Sequence, residues 1–298
     1  MSHCNDIKPC NDFKPCRDLT SKKVEIYKQF GDSVQQLMNQ LKYGLASCKK
    51  TKDFDLIDVR KTIVDWQSLE DGYNESIVDL GLGREYAYDS RDNNYLIENS
   101  PLYTTGSTLT VRNWDDEQWW GNQGSTSECV AYAWTHWLED GPVYQAPAPH
   151  PIVNPNTVYK EAQKIDEWPG ENYNGTSVRA GAKILQSLGF IQNYLWAYDV
   201  NTLANTVLNI GPVVVGTVWY RNMFFPNKTT GLVTASGNIV GGHAYVITGV
   251  DTKKRLFRIK NSWGRNWGLN GRAFISFNDM AKLIKLQGEI CLAVEKLR

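Results

Sequence analysis

Residues 121–139 read GNQGSTSECVAYAWTHWLE, and they decide how the rest of this 298-residue chain is interpreted. A turn rich in Gly and Ser leads into a segment with helical apolar periodicity, so the stretch predicts a helix that begins near Cys129 and ends at Gly141. The unpaired amides and partial positive charge of a helix N-terminus favour a thiolate over a thiol. Cys129 is therefore a candidate nucleophile.

Gln123 lies six residues before Cys129, close enough along the chain for its amide to reach the same reacting atom. N–H donors that point at developing negative charge stabilise the tetrahedral intermediates of acyl transfer. We therefore expect the side chain of Gln123 and the backbone N–H of Cys129 to donate to one oxyanion.

Two later stretches supply a base and a group that orients it. His243 lies in GGHAYV, residues 241–246, and Asn261 begins NSWG, residues 261–264. Taken alone, a buried cysteine or a histidine in an apolar strand is usually a core residue. Together the three residues fit the roles of nucleophile, base and orienter, and this combination favours nucleophilic catalysis.

The segments that contain Cys129, His243 and Asn261 occur in the same order as the active-site segments of the papain-like cysteine peptidases, peptidase C1, and resemble them. The resemblance begins near Tyr88 and runs to the C-terminus. It implies an α+β fold with two lobes, a helical lobe that carries the nucleophile helix and a β-barrel-like lobe that carries His243 and Asn261. We therefore expect residues 88–298 to form the peptidase domain and residues 1–87 to form a helical N-terminal extension.

The resemblance also implies a substrate-binding surface. Gly175 and Thr176 lie where the family has a glycine-rich turn whose backbone pairs with an extended substrate, a form of strand addition that tolerates many sequences. Gly242 and Trp267 are expected to contact substrate as well. Trp263 is expected to shield the bond between His243 and Asn261 from water.

The mechanism that the resemblance implies needs neither a metal nor an organic cofactor. The Cys129 thiolate attacks a peptide carbonyl, His243 is the imidazolium partner and then the general acid, and water hydrolyses the acyl-enzyme. Such pairing strongly lowers the pKa of a cysteine, so we expect the ion pair to persist at neutral pH. The chain is thus expected to be a cysteine endopeptidase that acts on a protein or peptide.

Three features lead to further expectations. Glu128 stands where the family usually has a small residue, and we expect it to face solvent or the leaving side of the substrate. Val130 replaces an aromatic residue, which indicates altered packing. The acidic cluster at residues 166–171 would favour basic substrate residues, although a solvated loop is the simpler interpretation.

Two alternatives belong to other functional classes. The chain could be a catalytically silent homologue with a structural or binding role, which the complete set of Cys129, His243, Asn261 and Gln123 argues against. It could also be an amidase or acyltransferase that uses the same triad, which analysis of the reaction products would distinguish.

Composition narrows the class of partner and the compartment. Lys plus Arg equals Asp plus Glu at 32 each, so no net field favours nucleic acid, and no apolar run is long enough to span a membrane. No secretory signal precedes the domain, and Thr126 stands where secreted relatives have a paired cysteine. We expect a cytoplasmic or virion-associated protein.

The N-terminal extension contains a short repeat and an amphipathic segment. Cys4, Cys10 and Cys16 recur at six-residue intervals, wider than the paired spacing of most zinc sites, so we expect a flexible tail and no metal. Residues 21–48 have the apolar spacing of a helix. Both a removable prosegment and a docking region for a partner are consistent with this extension.

Overall fold

The computed structural model describes residues 80–116, 119–142 and 149–296, which all belong to one compact unit. The cysteine repeat at residues 4–16 and the helix expected over residues 21–48 lie outside the described residues. Within them the chain forms both helices and sheets. No helix in this part of the chain is long and apolar enough to cross a membrane.

The described residues form five α-helices, and α1 contains the predicted nucleophile. It begins at Cys129 and ends before Gly141, as the sequence predicts. Side chains cap the N-termini of the other four; for example, Asn154 accepts from the first turn of α2, and Ser177 accepts from Ala180 N in α3. The helices are α1 (Cys129–Asp140), α2 (Pro155–Gln163), α3 (Val178–Ser187), α4 (Val200–Asn209) and α5 (Phe277–Lys285).

The strands form two sheets. A two-stranded parallel sheet joins β1 to β3, and the large sheet has the order β4-β10-β5-β7-β8-β9-β6, with β2 paired to β7. The large sheet is antiparallel except where β6 pairs with β9. The strands are β1 (Arg84–Glu85), β2 (Val111–Asn113), β3 (Thr176–Ser177), β4 (Ile191–Ala197), β5 (Val213–Tyr220), β6 (Leu232–Val233), β7 (Ile239–Asp251), β8 (Leu256–Lys260), β9 (Arg272–Ser276) and β10 (Glu289–Glu295).

Strand β7 separates two apolar cores. Because alternate side chains of a strand point to opposite faces, Ala244 and Val246 pack into the core around α1, while Tyr245 and Ile247 pack into the other core. The first core contains the helices α1 and α3, and the second contains most of the sheet's other face with α4 and α5. A helical part and a β-rich part therefore meet along β7.

A buried ionic network connects the end of α1 to the end of β8. Lys260 Nζ lies 2.7 Å from Asp140 Oδ1 and 3.6 Å from Asp115 Oδ1, and all three side chains are fully enclosed. Arg272 Nε donates to Asp115 Oδ2 at 2.5 Å. Lys260 immediately precedes Asn261, so this network fixes where the loop at residues 261–264 begins.

The network predicts a large loss of stability when its central cation is removed. Lys260→Met would leave Asp140 buried without its ammonium partner, and breaking a buried pair in this way costs about 3–5 kcal/mol. Lys254→Met is the matched control, because Lys254 is exposed and pairs with Asp251 at 3.7 Å, so about 0–1 kcal/mol is expected. The free energy of unfolding in urea measures both; equal losses would contradict the structural role of the network.

Candidate active site

Cys129 is the first residue of α1 and is fully buried. Its Sγ accepts a hydrogen bond from the backbone N of Ala244 in β7 at 3.4 Å. Ala244 follows His243 directly, so this contact brings the β7 backbone next to the expected base close to the expected nucleophile.

His243 is held by the loop that begins with Asn261. Its Nε2 lies 2.8 Å from Asn261 Oδ1, which also accepts from Ser262 N at 2.8 Å. Trp263 stacks on the imidazole with ring centroids 4.5 Å apart, and Trp219 meets the ring edge-on at 4.8 Å. The two indoles contact the imidazole from two sides.

Burial makes the thiol and the imidazole neutral in this state. Burial raises the pKa of Cys129 to about 12, although the N–H of Ala244 opposes the rise. Burial also lowers the pKa of His243 to about 4, and the bond to Asn261 opposes that shift. Within the described residues, His243 Nδ1 has no hydrogen-bond partner. The thiolate–imidazolium pair expected at neutral pH is therefore not the form that this closed geometry favours.

The Gln123 side chain is fixed at both ends of its amide. Its Oε1 accepts from the Ser262 hydroxyl at 2.5 Å, while its Nε2 donates to Thr126 O at 2.6 Å and to Gly81 O at 3.1 Å. The Ser262 contact turns the N–H side of the amide towards a carbonyl oxygen. An oxyanion donor requires this orientation.

Residues 80–85, which we call the covering segment, lie against the backbone just before Cys129 and against Gly242 of β7. Gly81 N donates to Gly124 O at 2.7 Å, and Trp263 Nε1 donates to Gly81 O at 3.1 Å. Farther along, Gly83 N donates to Gly242 O, and Thr176 N donates to Gly83 O, both at 3.0 Å. The segment thus runs between the two halves of the molecule as an extended strand.

Glycine is required at two positions of the covering segment. A Cβ at Gly81 would lie 1.8 Å from Thr126 O, and one at Gly83 would lie 2.1 Å from Ser127 O. Thr126 and Ser127 come shortly before Cys129 in the chain, so the segment touches the backbone that leads into α1. The sequence analysis missed this segment; its signal was the pattern Gly-Leu-Gly, since glycine permits close approach of two backbones.

The structure brings most of the expected site residues to the covering segment. Gln123, Thr176, Gly242 and Trp263 bond to its backbone, as described above, and Gly175 would place a Cβ 2.5 Å from Gly83 O. Trp267 is different: it is buried, packs against Trp263 at 5.3 Å and donates to Phe224 O at 3.0 Å. Its described contacts support the ring of Trp263.

The sequence analysis expects Glu128 to face solvent or the leaving side of the substrate. The structure instead turns this side chain inward. It is nearly buried, and its Oε1 accepts from Asn156 Nδ2 at 2.8 Å, so it connects the start of α1 to the start of α2.

The acidic cluster is likewise engaged within the protein. Asp166 accepts from Tyr173 and Thr176, and Glu167 pairs with Arg179 at 2.8 Å. Among the residues that the structure describes, no group of three His, Cys, Asp or Glu side chains is arranged to hold a metal ion.

Comparison with known proteins adds a family match over this region. A family model described as papain family cysteine protease matches residues 115–289. The chain is also similar to an uncharacterised peptidase C1-like protein of Acanthamoeba polyphaga mimivirus, 24% identical over 140 residues. That match covers 33% of this chain and 45% of the viral protein, so it spans less than half the length of that relative.

Two solved structures share the fold. Xylellain, a cysteine protease from Xylella fastidiosa, has a TM-score of 0.59 and 19% identity, covering 74% of this chain and 98% of its own. A mite allergen from the pair Blo t 1 and Der p 1 has a TM-score of 0.52 and 17% identity, covering 74% and 82%. These likenesses confirm the α+β, papain-like fold class that the sequence predicts.

The burial of Cys129 predicts slow alkylation at neutral pH. A pKa raised from 9.0 to about 12 lowers the thiolate fraction by about 1,000-fold at neutral pH, because each unit is a factor of ten. We expect iodoacetamide to modify Cys129 in the folded full chain at least that much more slowly than in the urea-unfolded chain, and faster as pH rises. Mass spectrometry of the peptide that contains Cys129 measures the rate; similar rates in both states would show that folding neither raises the pKa of the thiol nor restricts access to it.

Proposed function

Because the chain belongs to the papain family of cysteine proteases, we propose that it is a cysteine endopeptidase whose nucleophile is Cys129. The observation that carries the proposal is the bond from Ala244 N to Cys129 Sγ, which brings the backbone that follows His243 to the thiol, while Asn261 Oδ1 lies 2.8 Å from Nε2 of that histidine. In this proposal Cys129, His243 and Asn261 act as nucleophile, base and orienter.

In the proposed reaction the two ring nitrogens of His243 have separate tasks. Nε2–H donates to Asn261 Oδ1, which leaves Nδ1 to take the proton of the thiol and later give it to the leaving amine. The sulfur forms a thioester with the substrate acyl group as the C–N bond breaks. Water then attacks the thioester, His243 removes its proton, and the carboxylic acid leaves as the thiol is restored.

The proposed oxyanion donors are Gln123 Nε2 and the backbone N–H of Cys129. The support for Gln123 is its present partner, the carbonyl oxygen of Gly81, held at 3.1 Å by an amide whose orientation Ser262 fixes. A substrate carbonyl in the same place would receive the same donor. Such a preorganised donor contributes about 100-fold or more to the rate.

The substrate backbone is proposed to replace the covering segment. Thr176 N and Gly242 O bond to the backbone of Gly83 and would offer the same donor and acceptor to an extended peptide. Main-chain bonds of this kind accept many sequences. Gly175 and Gly242 have no side chains that would obstruct such a strand.

The covering segment must leave before any peptide reaches Cys129. We therefore favour, for the N-terminal extension at residues 1–87, the role of a removable prosegment, with residues 88–298 as the peptidase domain. The support is that segment residues bond to the proposed substrate-binding groups and that the thiol beneath them is buried. A docking role for the extension and a cytoplasmic or virion-associated location stay predictions.

A catalytically silent homologue is the weaker alternative, since such a protein has no chemical need for the bond between His243 and Asn261 or for the Gln123 orientation. Amidase or acyltransferase activity with the same residues would differ in its products. Sequencing of products from a peptide mixture would distinguish both from an endopeptidase.

Loss of either reacting group is expected to abolish turnover. Cys129→Ala removes the nucleophile and His243→Ala removes the base, so each should lower kcat for a denatured protein substrate by at least about 1,000-fold. Cys291→Ala is the matched control, because Cys291 is the other free, buried cysteine among the described residues and lies in β10. Activity is measured by peptide release, with circular dichroism as the test of folding. Wild-type rates in either active-site variant would refute the assignment.

Displacing the covering segment is expected to expose the thiol. In Gly81→Val/Gly83→Val the new side chains would collide with Thr126 O and Ser127 O, so the segment must move away. We expect labelling of Cys129 by a vinyl-sulfone peptide probe to rise at least about 10-fold in the full chain, because access and ionisation both improve.

The control for this experiment is Gly106→Val: a Cβ there would meet nothing within 4 Å, and the φ of +87° strains the substituted backbone, so this variant measures local strain away from the covering segment. Intact-mass analysis measures the adduct, and Cys129→Ala shows that the label is on the intended residue. Equal labelling of the natural chain, the Gly81→Val/Gly83→Val chain and the Gly106→Val chain would mean that the covering segment does not restrict access to Cys129.

A further inference from the structure

An open cavity of about 450 Å³ lies on the large sheet, away from the proposed catalytic residues. It is lined by residues of β2, β7, β8 and β9, by Lys254 in the turn after β7 and by Thr230 before β6. His243 lies near the start of β7 and Asp251 ends it, so roughly 25 Å of strand separates the two residues. The cavity is therefore a surface distinct from the proposed substrate cleft.

The strand register places one row of side chains on this face of the sheet. Asn113 pairs with Gly249, and Gly249 pairs with Arg258. Arg258 pairs in turn with Phe274, and Phe274 pairs with Leu232 of β6. Residues directly across from one another on neighbouring strands point to the same face. Gly249 adds no side chain, and a Cβ there would lie only 3.3 Å from Arg258 Cβ, so the glycine leaves a gap in the row.

A second row, two residues farther along each strand, adds apolar surface. Val111, Asp251 and Leu256 pair across β2, β7 and β8 and share the face of the first row. Val111 is 54% exposed and Leu232 is 36% exposed, although both side chains are large and apolar. The core of the sheet is packed by the residues between these positions, so the apolar side chains of the outer rows are left to contact something else. Apolar groups gathered on an exposed face mark interaction sites.

The charge around this surface is positive. Among the described residues that line the cavity, three are cations and one is an acid: Arg112, Lys254, Arg258 and Asp251. The acid already pairs with Lys254 at 3.7 Å. Lys253 and Arg255 extend the positive charge along the turn between β7 and β8. A partner with carboxylates would complement this face.

The two arginines are only partly neutralised within the protein. Arg258 Nη2 lies 3.0 Å from Asp115 Oδ2, but Arg272 Nε uses the same oxygen at 2.5 Å. Arg112 stacks on Trp114 at 3.9 Å, and none of the acids that the structure describes forms an ion pair with it. In the same part of the chain, Nε of both arginines has no hydrogen-bond partner. The face therefore keeps positive charge that an external acid would neutralise.

We propose that this face is a docking site for an acidic segment of a partner polypeptide that also carries a large apolar side chain. The apolar side chain would lie over Gly249, and the carboxylates on either side of it would meet Lys254 and Arg258. The apolar rows and Asp251 favour such a segment over a nucleic acid, whose phosphates need cations without an acid between them. Docking here does not depend on catalysis, so it stands apart from the proposed peptidase function.

The first experiment measures which chemistry the face binds. The probe is a fluorescein-labelled, amidated peptide, Glu-Asp-Phe-Asp-Glu, added to the full chain carrying Cys129→Ala so that it is not cleaved. Fluorescence polarisation gives Kd. We expect Kd to rise at least about 10-fold when Phe is replaced by Ala, and as much for the uncharged peptide Gln-Asn-Phe-Asn-Gln, because both apolar contact and charge are used.

The second experiment locates the binding on the protein. Lys254→Glu and Val111→Ser are each expected to weaken binding of the acidic peptide at least about 5-fold. Lys164→Glu is the matched control for the first, because Lys164 is also exposed and pairs with an acid three residues away. Leu188→Ser is the control for the second, because Leu188 is 47% exposed and lies at the end of α3. Circular dichroism checks that all four variants are folded.

Three results would overturn the proposal. The first is no saturable binding of the acidic peptide up to about 1 mM. The second is an equal Kd for Lys254→Glu, Val111→Ser and their two controls, which would place the peptide elsewhere. The third is tighter binding of an oligothymidylate of equal net charge, which would show that the face recognises nucleic acid instead of an acidic polypeptide.

Discussion

The packing of α1 against β7 is the interaction on which the site depends. Alternation along β7 sends Ala244 and Val246 into the core that holds α1 and sends Tyr245 and Ile247 into the opposite core. One strand therefore carries the backbone donor to Cys129 Sγ, and the residue before that donor is the histidine. A shift of one residue in the register of β7 would reverse every side chain and separate the thiol from the base.

The covering segment connects substrate access to the chemistry of the thiol. Its two glycines allow the chain to lie against residues 125–127, next to a site where burial raises the pKa of Cys129 and lowers that of His243. Desolvation disfavours both charged forms, so covering the site also suppresses the ion pair. Access and ionisation thus change together.

The buried acids differ in where their partners lie. Glu128, Asp166 and Glu167 are engaged with partners inside the body, and the network around Lys260 holds the loop that contains Asn261. Glu289 differs because its cation comes from the covering segment. Removal of that segment leaves the other pairs in place and changes the environment of this one acid.

The sequence by itself determined the order of the chemistry: a helix beginning at Cys129, a histidine in an apolar strand, an Asn-Ser-Trp-Gly loop and the α+β class. The helix and the strand follow from local periodicity, the loop is a motif whose residues are adjacent in the chain, and the α+β class is what the family resemblance of these motifs implies. Tertiary structure alone decided that Gly81 and Gly83 lie against the backbone of Thr126 and Ser127, that Glu128 is turned inward to Asn156, and that Arg84 meets Glu289. These contacts join residues far apart in sequence, or turn one side chain among several accessible directions. The packing of the whole domain selects among them, and no local pattern encodes that choice.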